Sequence, residues 1–223
     1  MRDRESDERE PIDREDVGAM LRMIVHDVRN PIATLLANLE VLGSVEPDDP
    51  EVPEILADLR TATRELDDGM RALGWLGRWL AGSPAVEPSV GDVVAPVRSM
   101  VTVPVQAPTG PLNAKGGAGA GEMAAVLVAC ALRYGRSALV RIEDHDDGVI
   151  VSVSDPGTPI APADREALFD LRGHLQLKQA SRARYARFLG LPAIAAAVRD
   201  IGGSTWVDER DGRCLFAFML PKG

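Results

Sequence analysis

The chain has 223 residues, of which 45% are hydrophobic and 26% charged, enough for one large or two small globular domains, each with a core of its own. A net charge of −9 and an isoelectric point near 4.9 leave no basic surface for non-specific nucleic-acid binding. No apolar run approaches the roughly 18–20 residues of a membrane span, and Cys130 and Cys214 lack metal-site spacing and read as buried thiols of a reducing cytosol.

Residues 1–16, MRDRESDEREPIDRED, mix charges of both signs without the apolar stretch of a secretion signal and predict a disordered tail. In residues 17–82, Val17, Met20, Leu21, Ile24, Val25, Val28, Ile32, Leu35, Leu36, Leu39 and Leu42 advance by threes and fours, the period of a helix with one apolar face. The phase runs through Pro31 and stops at Gly43–Ser44, where EPDDPEVP predicts a turn. Val52, Leu59, Leu66, Leu73 and Leu80 then recur every seven residues, with Ile55, Leu56, Ala62, Met70 and Leu76 between them, the spacing of a left-handed bundle seam. Two such helices and a short loop form a hairpin. A lone hairpin buries its stripes poorly, so pairing of two copies into a four-helix bundle, a homodimer, is expected. The alternative is a hairpin packed only on its own second domain.

Residues 83–96 read as a linker and residues 97–223 as that second domain. VRSMVTVPV reads as a strand ending near Pro104, and QAPTGPLNAKGGAGAG as a flexible loop. EMAAVLVACALRYG reads as a helix, and SALVRIEDH and GVIVSVSD as a hairpin around Gly148. APADREALFDL predicts a short helix, LPAIAAAVRDIGG a helix closed by its glycine pair, and STWVDERDGRCLFAFMLP a last hairpin turning at Asp211–Gly212. This order predicts one mixed sheet with helices on one face. The fold class is therefore α+β: an N-terminal helical hairpin, four-helical on dimerisation, followed by an α/β sandwich.

Within MLRMIVHDVRNPIATLLANLEVL, Pro31 removes the bond its N–H would give to the Asp27 carbonyl and predicts a bend beside His26. The other reading of the same residues has Asn30 capping a new helix that starts at Pro31. His26 lies off the apolar stripe, on the line Arg22, His26, Arg29, Asn30, Ala33, Ala37, and is expected to face solvent. A neutral imidazole there is a competent nucleophile. Asn30 follows one turn on, Asp27 projects from the side as an orienting group or base, and Arg22 and Arg29 lie close enough to neutralise a phosphoryl group. On these residues alone, the plain reading is a surface histidine.

The whole string says more. HDVRNPI resembles the H-box of bacterial sensor histidine kinases, in which a phosphoacceptor histidine lies on the first helix of a dimerisation hairpin. VSDPGTPIAPADREALFD is similar to the G1 and F-box segment, with Asp155, Gly157, Pro159, Ile160 and Phe169 in place; GLPAIAAAVRDIGGSTWV and GRCLFAFMLP resemble the closing helix and strand. The resemblance covers residues 17–221 and implies a Bergerat-type sandwich over 97–221, with Asp155, Gly157 and Gly190 as nucleotide-binding residues if nucleotide binding is retained.

The departures concern that nucleotide. The family's metal-holding asparagine corresponds to Cys130, with Val126 a turn earlier, and a thiol is a poor ligand for a hard cation. Ala186 and Phe188 stand where lid glycines belong, so only Gly190 remains. The pattern resembles dimeric histidine phosphotransferases built like a kinase core with a degenerate nucleotide domain. It implies a cytoplasmic relay protein in which His26, helped by Asp27, Arg29 and Asn30, shuttles a phosphoryl group between receiver-domain aspartates of response regulators. No cofactor and no metal would be bound by this chain, Mg²⁺ arriving with the receiver, and no membrane or nucleic acid would be involved. The first alternative is a soluble autokinase using ATP, with Glu122 as a substitute metal ligand and Lys178, Arg182, Arg184 and Arg187 on the phosphates. The second is a non-catalytic scaffold that binds response regulators.

Overall fold

The computed structural model describes residues 14–131, 138–155, 160–180 and 189–223, with Asp155 described through its backbone. Helices α1 (Arg14–Leu42) and α2 (Val52–Leu80) form the hairpin, and α1 continues unbroken through Pro31. Pro53 sits in the first turn of α2, where a missing N–H leaves no bond unmade. Neither helix, nor any other among the described residues, is long and apolar enough to cross a membrane.

The second unit begins earlier than its composition suggests. Within and after the expected linker lie β1 (Val90–Asp92) and α3 (Val94–Met100), so residues 97–100, the start of the segment read as a strand over 97–105, are helical. Asp92 explains the difference. Its carboxylate accepts the amides of Val94 at 3.0 Å, Ala95 at 2.9 Å and Leu112 at 3.1 Å, which caps α3 and ties down the loop beyond it. Burial would raise this carboxyl, but those amides outweigh it and hold it below its ordinary value. The end of the segment read as a strand and the first residue of the expected flexible loop form β2 (Val105–Gln106), and the loop goes on to carry β3 (Asn113–Lys115), which pairs with β1, and a short 3-10 turn at Gly117–Gly119.

The helix α4 (Ala120–Ala131), the hairpin of β4 (Leu139–Asp144) and β5 (Gly148–Asp155), the helix α7 (Gly190–Asp200) and the hairpin of β6 (Ser204–Arg210) and β7 (Arg213–Pro221) fall where the patterns place them. Between them lie the single turn α5 (Pro162–Arg165) and α6 (Leu171–Gln179), a helix absent from the sequence reading. The main sheet has the order β2-β4-β5-β7-β6, with β2 parallel to β4 and the other pairs antiparallel. Asp211 and Gly212 both take positive φ, the two-residue turn that matches strand twist.

One face of the sheet is apolar: Val140 and Ile142 pair with Val153 and Val151, which pair in turn with Phe216 and Phe218. All six are buried beneath α4 and α7 in a core that continues into the hairpin through Ala72, Trp75 and Leu76 of α2. Around its exit from α2 the chain is fastened as well: Arg78 donates twice to the Ala85 carbonyl, and the Ala85 amide donates to Asp200 at 2.9 Å. The hairpin therefore packs on its own second domain through α2. On α1, by contrast, Met23, Asp27 and Pro31 are the buried residues, and the apolar stripe of Leu21, Val25, Ile32, Leu36 and Leu39 is left exposed.

Candidate functional site: a histidine beside a buried carboxylate

His26 stands on the outer side of α1 with its side chain 61% exposed, and Arg22, Arg29, Asn30, Ala33 and Ala37 are exposed along the same line. Asp27, one residue on, turns inward until only 5% of its side chain remains accessible. The His26 Nδ1 lies 3.0 Å from Asp27 Oδ1. A carboxylate accepts, so Nδ1–H donates, and in the neutral ring the lone pair is on Nε2. The arrangement supplies a nucleophilic nitrogen and, behind it, an anion that stabilises positive charge as the ring forms a bond.

Asp27 is buried by α6. Lys178 brings its Nζ to 3.4 Å from the same Oδ1, and Arg172 donates to Asp16 at 2.9 Å one end of the contact away. His174, between them, is fully buried; its Nδ1–H donates to the Leu168 carbonyl at 2.8 Å, and its Nε2 has no hydrogen-bond partner among the described residues. Burial lowers this imidazole to about 4. Sequence reasoning missed His174 altogether and placed Lys178 on nucleotide phosphates only under the autokinase alternative, a solvated or partner-docking helix face being the preferred reading. Only the i,i+4 spacing of the two residues hinted at a shared face, and the Asp27 partner of Lys178 lies 151 residues away.

The expected nucleotide residues fare differently. Gly157, Arg182, Arg184, Ala186, Arg187 and Phe188 lie outside the described residues, and Asp155 is the last residue of β5, opposite Cys214. Gly190 opens α7 and presses on α4: a Cβ there would stand 2.7 Å from Cys130 Sγ and 3.0 Å from Val126 Cγ1. Cys130 is 2% exposed, and the seam beside it is lined by Val126, Ala129 and, from α2, Glu65, Asp68, Gly69 and Ala72. Burial pushes the Asp68 carboxyl up. Glu122 is held by Arg71 at 2.8 Å. Among the described residues no three His, Cys, Asp or Glu side chains converge to hold a metal. A buried thiol packed against glycine and methyl groups is itself a poor ligand for a hard cation such as Mg²⁺.

Residues 118–223 match the family model described as histidine kinase-, DNA gyrase B- and HSP90-like ATPase. No curated protein matches the chain. Among solved structures, the Acinetobacter baumannii histidine kinase AdeS is 16% identical, with a TM-score of 0.53 over 89% of this chain and 98% of that one. Histidine kinase ThkA, solved in complex with response regulator protein TrrA, is 20% identical at a TM-score of 0.53, over 94% of this chain and 63% of that one. Full-length ShkA, in complex with AMPPNP, is 18% identical at 0.52, over 91% of this chain and 45% of that one. The chain thus spans less than two thirds of the ThkA and ShkA chains. What the chain shares with these structures is the fold: a helical hairpin followed by a mixed-sheet domain, within which residues 118–223 match the ATPase family model.

Proposed function

We propose that the chain acts in two-component signalling as a phosphoacceptor, with His26 exchanging a phosphoryl group with the receiver aspartate of a response regulator. The observation that carries this is the exposed imidazole whose Nδ1 is held at 3.0 Å by a buried carboxylate. In the transfer, Nε2 attacks phosphorus, the P–N bond forms as the bond to the aspartyl oxygen breaks, and the carboxylate leaves. Asp27 keeps the Nδ1 proton and balances the charge that grows on the ring. Arg29 and Asn30, exposed on the same line, face the incoming phosphoryl oxygens, and the receiver brings the Mg²⁺. The histidine kinase ThkA, which shares this fold, is known in complex with a response regulator. We propose further that two copies join through the exposed stripe of α1, since a row of large apolar side chains is a contact surface in waiting.

Two sources of the phosphoryl group divide the reading. The ATPase-family match and the kinases that share the fold favour an autokinase, at least as well as a shuttle between receivers. The packing of Gly190 on Cys130 favours the shuttle, because it seats a buried thiol, a poor ligand for a hard cation, at the position that corresponds to the metal-holding asparagine. The experiment offers the chain labelled ATP with Mg²⁺ in one arm and a phosphorylated receiver in the other. Acid-labile label that is lost in His26→Ala is expected in at least one arm. Label from ATP alone makes the chain a kinase, label from the receiver alone makes it a shuttle, and no label in either arm refutes the phosphoacceptor. His26→Ala itself stays folded, within about 0.5 kcal/mol of the parent, because the ring projects into solvent.

A further inference from the structure

One carboxylate oxygen serves two partners where α6 meets α1. Asp27 Oδ1 accepts from His26 Nδ1 at 3.0 Å and from Lys178 Nζ at 3.4 Å. The Asp27 side chain is 5% exposed and that of Lys178 24%, so this pair is shielded from water while the ring, at 61%, is not. An anion in that position needs a cation close by, and a buried carboxylate stripped of its counter-charge is strongly unfavourable. Among the described residues, two groups within reach of Oδ1 can supply charge. One is Lys178. The other is the His26 ring, by taking up a second proton, and a doubly protonated ring has no lone pair left to attack with. His174, the remaining titratable side chain on the buried face of α6, supplies none: burial keeps it neutral and its Nδ1–H is committed to the Leu168 carbonyl.

We propose that Lys178 is a positioning residue for phosphoryl exchange at His26, resting on the function proposed above. It neutralises Asp27 and fixes its Oδ1, so that the ring stays neutral, with Nδ1–H directed inward and Nε2 directed out. The second domain thereby completes the phosphoacceptor site on the hairpin without touching the histidine. Arg172 is the natural control, because its bond to Asp16 helps seat the same helix without reaching Asp27.

The test uses the full chain labelled with nitrogen-15 in histidine, near neutral pH, as the parent and as Lys178→Gln, Lys178→Arg and Arg172→Gln. Ring nitrogen spectra and the rate of labelling by a phosphorylated receiver are recorded for each. The parent and Lys178→Arg are expected to show His26 protonated at Nδ1 only. Lys178→Gln is expected to lose that signature and to slow labelling roughly tenfold, the size of one charge-assisted contact. Arg172→Gln keeps the signature. An unchanged His26 spectrum in Lys178→Gln overturns the proposal, and so does an equal change in Arg172→Gln, which would assign the effect to helix seating alone. A parent chain that accepts no label overturns the phosphoacceptor reading separately, and the ring spectra then still decide whether Lys178 holds His26.

Discussion

His174 and Asp27 are two residues whose chemistry is set by what α6 brings to them. The His174 ring carries its proton on Nδ1, bonded to the Leu168 carbonyl, and a second proton on Nε2 would be buried without an acceptor. Its imidazole is therefore lowered from 6.5 to about 4 in the folded chain. Between those values the unfolded chain binds a proton that the folded chain refuses, so stability is full above about pH 6.5 and declines as pH falls toward 4. The span amounts to about 3 kcal/mol. Urea unfolding across that range is expected to show His174→Leu less stable than the parent at neutral pH, through the lost hydrogen bond, with the gap closing as the parent weakens in acid. The two residues also mark how far a sequence can be read. His26 and Asp27 were legible because HDVRNPI is contiguous, and the off-stripe position of the ring fixed its exposure. The inward turn of Asp27 onto Lys178 was not, because a contact spanning 151 positions leaves no local trace.

Among the elements, the helices and hairpins with one strong period were legible from their own residues, as α4, α7 and the β6–β7 turn illustrate. The failures came where a neighbour decides. Val94, Val97, Val101 and Val103 carry strand propensity, yet the Asp92 cap and burial of Val94 and Val97 beside α4 make residues 94–100 helical. In LRGHLQLKQ the apolar content is low, and α6 exists through the Asp170 carboxylate accepting the Gly173 amide at 2.7 Å and through burial of Leu175 and Leu177. The α4–α7 contact is tight enough to test directly. Gly190→Ala drives a methyl group onto Cys130 Sγ and Val126 Cγ1 and is expected to destabilise the chain by about 1–3 kcal/mol in a denaturant titration. Adding Cys130→Ala removes the sulfur and recovers part of that loss, so the pair is non-additive.

At the scale of the whole molecule, the stripe read from sequence as hairpin core is only partly used within one chain. Leu21, Val25, Leu36 and Leu39 are 54–64% exposed on α1, and Met70 of α2 is 59% exposed. In the pairing proposed above, a second hairpin of the same periodicity covers them. Sedimentation is expected to give twice the 23.9 kDa of one chain, and Leu21→Asp with Leu36→Asp to give a folded species of 23.9 kDa. A parent that sediments as a single chain would refute the pairing. The seating of α6 carries a mechanical consequence. If the sheet domain rotates away from α1, Lys178 departs with it, and the histidine is left leaning on a carboxylate that has lost its Lys178 contact and its shelter from water. Swinging the domain and changing the electric field at the imidazole are then a single motion, so whatever drives the first also sets the second.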